Sequence, residues 1–584
     1  MALAVKAVAL VRRNRASSWA LALVVAVWLV ANAWWILAYR HRQLLDIDEA
    51  GYIGMALNDY YAAGRDGLLG WLKAFDAPGI QAPLTSAVTS VAFLVTGPRV
   101  LAAFVIPVLA GLATILLTYG LARRIGGPRL AWPALLLVAT APGLLVESRA
   151  FHFALPAAAV TTGALYCLVR SDRFTRTGFA LAFGVCLGLM PLTRTMTISF
   201  LPGLLLAAIL QASIGPDRRQ RLARCAAAVA AAVAVAALWL APNGVLVFRY
   251  LGGFGYGTQS REYGHESGLA NPAAWLERLR ILIGDQHLPH VLVIGVGLIA
   301  ATVFVVGNGR TAGFREVTRR VALSPLLPSC LLVLTGHAAL LSSANTGTAF
   351  ALPLFPAMTV IAVWGLLRLP AAVLRAVPAV LAVLLVVAVV PMLDLRAPTA
   401  HPLLVQLPVV GSVKVTDGRG AIQLYEREGT GTDDLEPVSV DTAQQWIAAS
   451  DWAAKRIVEQ DALRGTTAFG FRDRLFNSNT AQLVIMQSKG YGVRMAMINP
   501  TEVGGRQENY EDWLTKSRDS LNGDASHACL LFTATGTVNE FVPAVDPPAM
   551  EQAAHATGFA VLDRHPLPNG RVLTLWRRTE PDCG

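Results

Sequence analysis

Three carboxylates and a tyrosine stand together directly after the first apolar segment, in the sequence Asp46-Ile47-Asp48-Glu49-Ala50-Gly51-Tyr52. On a helix that begins here, Asp48 and Tyr52 share a face at a spacing of four residues, whereas Glu49 points about 100° away. An unpaired carboxylate beside an apolar segment is costly, so such a cluster is typical of a general base, a metal-ligand set or a partner for a cationic substrate. Helix capping would explain Asp46 alone, but three acids exceed what a cap needs.

The segments that must position these acids are strongly apolar. The chain has 584 residues, of which 54% are hydrophobic and only 15% charged, against about 25% charged residues in a typical soluble domain. Residues 1–394 contain 31 Lys and Arg against 15 Asp and Glu, whereas residues 395–584 contain 18 against 23. We therefore predict a polytopic α-helical membrane domain over 1–394 and a soluble extracytoplasmic α/β domain over 395–584. A nucleic-acid-binding role is excluded, because the positive charge lies in loops between apolar segments.

The first apolar segment, Trp19–Ala38, is long enough to cross a bilayer. A cleaved signal peptide is the alternative, which we reject because the apolar core is long and no small-residue cleavage site follows. Further apolar segments lie at 83–97, 100–121, 130–146, 151–169, 178–193, 196–213, 225–247, 289–306, 323–342, 349–367 and 371–392. Gly97-Pro98 divides the stretch 83–121 into a short and a normal apolar piece, and this stretch must cross the membrane an odd number of times. We therefore predict 11 crossings for the chain, with 13 as the alternative.

Basic clusters predict the orientation of the chain, because Lys and Arg near membrane ends favour the cytoplasm. The clusters are Arg123/Arg124/Arg129, Arg170/Arg173/Arg176, Arg218/Arg219/Arg221/Arg224, Arg310/Arg315/Arg319/Arg320 and Arg368/Arg375. With all five inside, the N-terminus is cytoplasmic, and a first loop over 40–82 and the C-terminal domain are extracytoplasmic. Twelve of the 15 acids before residue 395 then lie outside, which locates the chemistry on that face.

The C-terminal region alternates predicted helices with predicted strands, as in a small α/β domain. The helices are predicted at 443–460, 478–489, 507–519 and 548–557, and the strands at Thr467–Phe471, Arg494–Ile498, Ala528–Phe532 and Val572–Trp576. Cys529 and Cys583 both lie in this domain. Its compartment permits a disulfide between them, although spacing does not prove one.

Several motifs resemble the GT-C superfamily of integral-membrane glycosyltransferases, in particular the branch that contains protein O-mannosyltransferases and the aminoarabinose transferase. "DIDEAGY" resembles that branch's Asp-x-Asp-Glu-Ala-x-Tyr. The other matching stretches are "QAPLTSAVTS", "LARRIGGPRLAWPALLLVATAPGLLVESRAFHFALP", "GVCLGLMPLTRTMTISFLP" and "ALPLFPAM". Their order and spacing together carry the resemblance, which covers about two thirds of the chain.

The resemblance implies transfer of a hexosyl or pentosyl group from a polyprenyl-phosphate sugar to a glycan, lipid or protein acceptor, with inversion. Such a reaction would serve cell-envelope or cell-wall biogenesis in a bacterial-type, multi-pass cell membrane. It needs a base for the acceptor hydroxyl and cations for the phosphate leaving group. By this resemblance Asp48 is the base and Glu49 orients the acceptor or the base, with Asp46 and Tyr52 beside them as substrate contacts.

The turn that contains Glu147, Arg149 and His152 departs from the family pattern, which has an acid where this chain has His152. Glu147 is a substitute for that acid, or His152 itself bonds the acceptor or the phosphate; a satisfied interfacial histidine is the alternative. An outward-facing guanidinium of Arg149 suits a phosphate through its paired N–H donors. The alternative is that this side chain only extends, or snorkels, to the membrane interface. Arg194 is likewise a substrate contact or a snorkelling turn residue.

The remaining candidate contacts are less specific. Lys73 would replace a cation that the family has before its second span, although an interfacial helix around Leu68–Phe75 explains it equally well. Tyr256, Arg261 and His265 lie in a glycine-rich polar stretch over 249–288, which is either a loop that closes over substrate or a flexible loop.

A divalent metal could be held by Asp48, Glu49 and His152, but no His-x-His or Cys-x-x-Cys spacing supports one. We therefore expect no cofactor. The competing function is a transporter or flippase of a lipid-linked sugar, which would place polar groups near the bilayer midplane and show repeated halves. A scaffold for the external domain is a third interpretation. The carboxylates at one interface favour the enzyme.

Overall fold

A computed structural model describes most of the chain. The described residues are 2–40, 44–77, 79–257, 259–260, 266–312, 314–345, 347, 349–370, single positions between 373 and 386, 403–416, 440–460, 465–473, 475–517, 523–536 and 544–579. The predicted segment 371–392 therefore lies almost wholly outside the described residues, as do Arg261, His265 and Cys583.

Fifteen helices form the first part of the described chain. They are α1 Ala2–Tyr39, α2 Ile47–Phe75, α3 Leu84–Thr96, α4 Val100–Ala103, α5 Val105–Gly126, α6 Pro128–Ala139, α7 Pro142–Glu147, α8 Ala154–Arg170, α9 Thr177–Thr193, α10 Leu201–Ser213, α11 Arg218–Tyr256, α12 Pro272–Ala312, α13 Phe314–Leu323, α14 Leu327–Ser342 and α15 Phe355–Leu366. Short 3₁₀ segments precede α10 and α15 at Thr195–Phe200 and Leu352–Leu354.

Among the described residues, five stretches are long and apolar enough to cross a membrane: Ser18–Tyr39, Val100–Gly126, Thr195–Ser213, Arg218–Tyr256 and Pro272–Gly307. Six shorter apolar helices accompany them. The largest core cluster lies between these helices and includes Leu165, Phe183 and Phe355. The prediction of a polytopic α-helical protein is thus confirmed.

The break predicted at Gly97-Pro98 is present. Helix α3 ends where the N–H of Gly97 donates to the carbonyl oxygen of Phe93 at 2.9 Å. Gly97 has a φ of 78°, a conformation that glycine adopts without the steric cost that a Cβ would bring. The short helix α4 and the longer α5 follow, so the stretch 83–121 is bent as the sequence indicates.

The C-terminal domain has four strands in the expected places and three more. Its strands are β1 Leu403–Leu407, β2 Gly411–Thr416, β3 Thr466–Phe469, β4 Met495–Met497, β5 Ala528–Ala534, β6 Phe559–Pro566 and β7 Val572–Arg578; its helices are α16 Val440–Glu459, α17 Ser478–Lys489, α18 Pro500–Val503, α19 Gln507–Thr515 and α20 Pro547–Ala556. One sheet has the order β4-β3-β5-β7-β6, parallel across β4-β3-β5 and antiparallel across β5-β7-β6. The predicted α/β domain is confirmed. Cys529 on β5 is disulfide-bonded.

The C-terminal domain docks on the helix bundle through α17 and α2. Asn479 Nδ2 donates to the carbonyl oxygen of Ile47 at 3.0 Å, and the Tyr61 hydroxyl donates to that of Met486 at 3.1 Å. A Cβ on Gly51 would lie 2.9 Å from Asn479 Nδ2, so the absent side chain permits this close approach. These contacts place α2 and the domain on the same side of the bundle.

Candidate active site

The acidic motif forms the N-terminus of α2 as a reciprocal cap. Asp46 Oδ1 accepts from the backbone N–H of Asp48 at 2.8 Å, and Glu49 Oε2 accepts from the N–H of Asp46 at 3.3 Å. This arrangement satisfies backbone donors that a helix start leaves unpaired. Asp46 therefore has the capping role that residue type indicates, and its second oxygen remains for another contact.

Glu49 is held inside the protein by an arginine from the end of α1. Arg40 Nη2 donates to Glu49 Oε1 at 2.5 Å and Oε2 at 2.6 Å, and both side chains have 0% exposure. The backbone N–H of Phe151 also donates to Oε1, at 2.7 Å. With no exposed surface, Glu49 is placed to fix α1, α2 and the turn before α8 relative to one another, and it does not present itself to an acceptor.

Asp48 is exposed and lies next to Tyr52, on the shared helix face that the spacing predicts. Tyr52 is stacked on Phe153, with ring centroids 4.0 Å apart. Burial raises the pKa of Tyr52 well above its ordinary value, the Asp48 charge raises it further, and Arg194 opposes the shift. Asp48, Tyr52 and Arg194, from α2 and the end of α9, therefore meet within electrostatic range.

His152 bridges two carboxylates from different elements. Its Nε2 is 3.4 Å from Asp46 Oδ2, and its Nδ1 is 3.4 Å from Glu147 Oε2. Both acids are almost fully buried, and neither of these oxygens makes a hydrogen bond. The histidine thus links the cap of α2 to the end of α7.

Arg149 lies in the turn between α7 and α8 and is fully buried against α1. Its Nε donates to Asn32 Oδ1 at 3.0 Å, and its guanidinium lies 4.7 Å from the centroid of Trp35. Burial lowers the pKa of Arg149 to about 9, so it still carries a charge at neutral pH. This position differs from the outward-facing guanidinium that the sequence suggests.

Arg194 ends α9 in an extended conformation and is half-buried. Its guanidinium lies 4.3 Å from the centroid of the Phe350 ring. Besides Tyr52, it lies within electrostatic range of Asp285. A planar cation stacked on an aromatic ring beside a carboxylate and a tyrosine can bind a phosphate oxygen.

Helix α12 is interrupted at His287, next to the polar residues Asp285 and Gln286, and Asp285 lies within electrostatic range of Arg194. This interruption was not predicted from the sequence. His287 has a φ of 59° inside the helix, a region that residues with a Cβ rarely adopt. Asp285 Oδ2 accepts from the N–H of Ala349 at 2.9 Å, and His290 Nε2 lies 3.2 Å from Thr140 Oγ1. The expected loop over 249–288 is wrong in its extent, since α12 already begins at Pro272. The Asp285-Gln286-His287 triplet just before Pro289 was the available signal.

Other predicted contacts lie elsewhere. Lys73 is exposed in the last turn of α2, beyond a kink at Asp66 and Gly67. The Tyr256 hydroxyl lies 3.0 Å from Ser342 Oγ. Within the described part of the chain, no contact joins either side chain to the acidic cluster.

The acidic cluster does not form a metal-ligand set in the described ranges. No group of three or more His, Cys, Asp or Glu side chains there has a geometry suited to a metal ion. Of the three ligands considered from sequence, Glu49 has both oxygens bonded to Arg40.

Comparisons with known proteins bear on the family and the fold. Residues 78–242 match the family model of dolichyl-phosphate-mannose-protein mannosyltransferase. The structure of ArnT from Cupriavidus metallidurans in the apo state matches with a TM-score of 0.56 and 16% identity, over 96% of this chain and 98% of that chain. ArnT from the same organism bound to undecaprenyl phosphate matches with a TM-score of 0.54, again at 16% identity and over 96% and 98% of the two chains.

A more distant match is the archaeal oligosaccharyltransferase AglB from Archaeoglobus fulgidus in complex with an inhibitory peptide and a dolichol-phosphate. Its TM-score is 0.52 at 12% identity, over 95% of this chain and 74% of that chain. No curated protein sequence matches the chain. The family match over 78–242 and the shared fold confirm that this chain resembles the GT-C membrane glycosyltransferases, with an ArnT-like architecture.

Proposed function

We propose that this protein is an inverting glycosyltransferase of the cell membrane that uses a polyprenyl-phosphate sugar as donor. The observation that carries the proposal is the exposed carboxylate of Asp48 at the start of α2, beside Tyr52 and Arg194. The family match over 78–242 and the ArnT-like fold support the same class of reaction.

In the proposed reaction Asp48 accepts the proton of an acceptor hydroxyl while that oxygen attacks the anomeric carbon. The bond from this carbon to the phosphate oxygen breaks, and its electron pair leaves with the polyprenyl phosphate. Arg194 stabilises the charge that develops on that phosphate. Attack from the face opposite the leaving group inverts the anomeric configuration.

Glu49 acts in this proposal as a positioning residue, because its ion pair with Arg40 fixes the start of α2 and so the direction of Asp48. Asp46, Glu147 and His152 form the wall of the site next to it. Arg149 keeps a positive charge in the turn between α7 and α8. Lys73 and Tyr256 stay as proposed contacts to longer parts of the substrates.

The orientation follows from the basic loops, with the N-terminus cytoplasmic and the site and C-terminal domain extracytoplasmic. A lipid-linked sugar is presented at that face, where nucleotide sugars are absent. The acceptor is a glycan, a lipid or a protein, and the domain over 395–584 contributes to its selection through α17. The transferred group is a hexose or a pentose.

A transporter of a lipid-linked sugar is the second candidate function. The polar break of α12 around Asp285 and His287 favours it, since broken helices line transport sites. Against it, Asp46, Asp48 and Glu49 gather at the N-terminus of α2.

The decisive experiment measures sugar transfer from a radiolabelled polyprenyl-phosphate sugar by the full-length protein in proteoliposomes. Lipid extracts of cells with and without the protein identify the donor that accumulates. We expect Asp48→Asn to lower turnover by about 10²–10⁴-fold with donor binding retained, and Asp66→Asn, the same change at an exposed position of α2, to leave it unchanged. Near-normal turnover in Asp48→Asn contradicts the base assignment, and flipping without bond formation supports the transporter.

A further inference from the structure

A cavity of about 360 Å³ lies between the helix bundle and the C-terminal domain. Its walls come from α2, the start of α3, Trp239 of α11, and Asn479 of α17. The reaction proposed above uses none of these side chains. Because both parts of the protein contribute to the wall, docking of the C-terminal domain completes this cavity.

The cavity continues the helix face on which Asp48 lies. Gly51, Met55 and Asp59 line it, and together with Asp48 they follow the spacing of three and four residues that defines one face of a helix. From Asp48 to Asp59 the helix rises about 16 Å at about 1.5 Å per residue. A ligand lying along this face would reach from the cavity to Asp48.

Asp59 places an unpartnered polar atom at the cavity. Its side chain is 5% exposed, and its Oδ2 makes no hydrogen bond. The hydroxyl of Ser86, which also lines the cavity, donates instead to the carbonyl oxygen of Pro83 at 2.9 Å. Burial raises the pKa of Asp59 to about 7. A buried polar atom without a partner costs free energy, which a ligand hydroxyl would recover by bonding to it.

The rest of the lining defines the chemistry of the ligand. The amides of Asn58, Gln81 and Asn479 offer both donors and acceptors, and Phe75 and Trp239 offer apolar faces. None of the described residues that line the cavity is Lys or Arg, so the lining offers no cation to the phosphate of a lipid-linked donor. Amides, a carboxyl group and aromatic faces suit a neutral sugar ring.

We propose that this cavity binds a neutral sugar unit of the acceptor, with Asp59 as the buried group that bonds its hydroxyls. The inference rests on the proposed glycosyl transfer and extends it by identifying the acceptor as an extended glycan. The transferred sugar is added at one end, near Asp48, while a unit about 16 Å along the chain occupies the cavity. The C-terminal domain thus selects the acceptor through Asn479.

The test is saturation-transfer NMR on the full-length protein in lipid nanodiscs, with neutral mannan, glucan and arabinan tetrasaccharides and the matching monosaccharides as probes. We expect at least one tetrasaccharide to bind, and binding to weaken ten-fold or more in Asp59→Ala. Gln81→Ala, at an exposed position on another wall, weakens it as well and separates loss of binding from misfolding. Asp66→Ala, at an exposed position on the same helix, binds as the wild type does.

Three results would overturn the proposal: no tetrasaccharide binds a protein that is active in sugar transfer, Asp59→Ala and Gln81→Ala both bind normally, or a chitosan tetramer binds ten-fold tighter than every neutral probe. The last result would identify a cation site instead. The experiments distinguish failure of the catalytic role of Asp48 from failure of the sugar-binding role of the cavity. If Asp48→Asn keeps full transfer activity while Asp59→Ala loses binding, the catalytic assignment is wrong and the sugar site stands.

Discussion

Arg40 and Glu49 form an ion pair in which neither side chain has any exposed surface. Arg40 is at the end of α1 and Glu49 is in the first turn of α2, and Arg40 also lies 4.7 Å from the centroid of the Phe104 ring on its other side. Two charges taken out of water together are tolerated only while each keeps its partner. The pair therefore makes the direction of α2, and with it the position of Asp48, depend on the end of α1.

We expect Glu49→Gln to destabilise the protein strongly, by about 3–5 kcal/mol, because it leaves the buried guanidinium of Arg40 without a countercharge. The measurement is the melting temperature of the purified protein in detergent, together with its yield from membranes. The double variant Arg40→Gln, Glu49→Gln removes both charges and should recover part of the lost stability. If Glu49→Gln instead lowers turnover at an unchanged melting temperature, Glu49 acts on substrate rather than on position.

The sequence predicts the parts of this site that depend on local spacing. Helical periodicity places Asp48 and Tyr52 on one face, and residue type identifies Asp46 as a cap. The pairing of Arg40 with Glu49 was not predicted, because it crosses a turn whose path is set by tertiary packing. Burial of Arg149 against Trp35 has the same cause, since an arginine beside an apolar segment can turn inward or outward.

Helix and strand boundaries were missed for specific physical reasons. Pro289 marks the expected start of an apolar helix, but α12 begins at Pro272 and continues past this proline. The helical backbone is interrupted only at His287, which has a φ of 59°. Asp285 was therefore assigned to a loop. Strand β6 was missed because its residues Val561 and Leu562 are exposed at the edge of the sheet, so the alternation of buried and exposed positions is weak there.

The bridge formed by His152 is expected to hold Asp46 and Glu147 in place. His152→Leu removes both 3.4 Å contacts and leaves two buried carboxylate oxygens facing an apolar side chain. Sugar transfer should fall at least ten-fold, and the melting temperature should fall with it. Adding Glu147→Gln to this variant reduces the buried charge and should restore stability without restoring transfer. Normal transfer by His152→Leu would show that the bridge does not contribute to the site.

Arg194 is expected to bind the phosphate of the lipid-linked donor. Arg194→Gln should weaken inhibition of transfer by undecaprenyl phosphate at least ten-fold, because the variant loses the cation. Arg194→Lys should recover only part of the affinity, since lysine lacks the planar group that lies over Phe350. Arg65→Gln, a charge removal at an exposed position of α2, is the matched control. Equal inhibition of Arg194→Gln and the wild type would contradict the assignment.

Asp59 should make the stability of the protein depend on pH. Its pKa rises from 3.8 to about 7 on folding, because burial disfavours the charged form. The neutral form is thus favoured in the folded state, so this contribution is complete below pH 4 and is lost as the pH rises through 7. Its full size is about 4 kcal/mol. Asp59→Asn cannot ionise, so its melting temperature should exceed that of the wild type at pH 8, and the difference should shrink at pH 5. Asp66→Asn should follow the wild-type profile, and the prediction fails if Asp59→Asn follows it too.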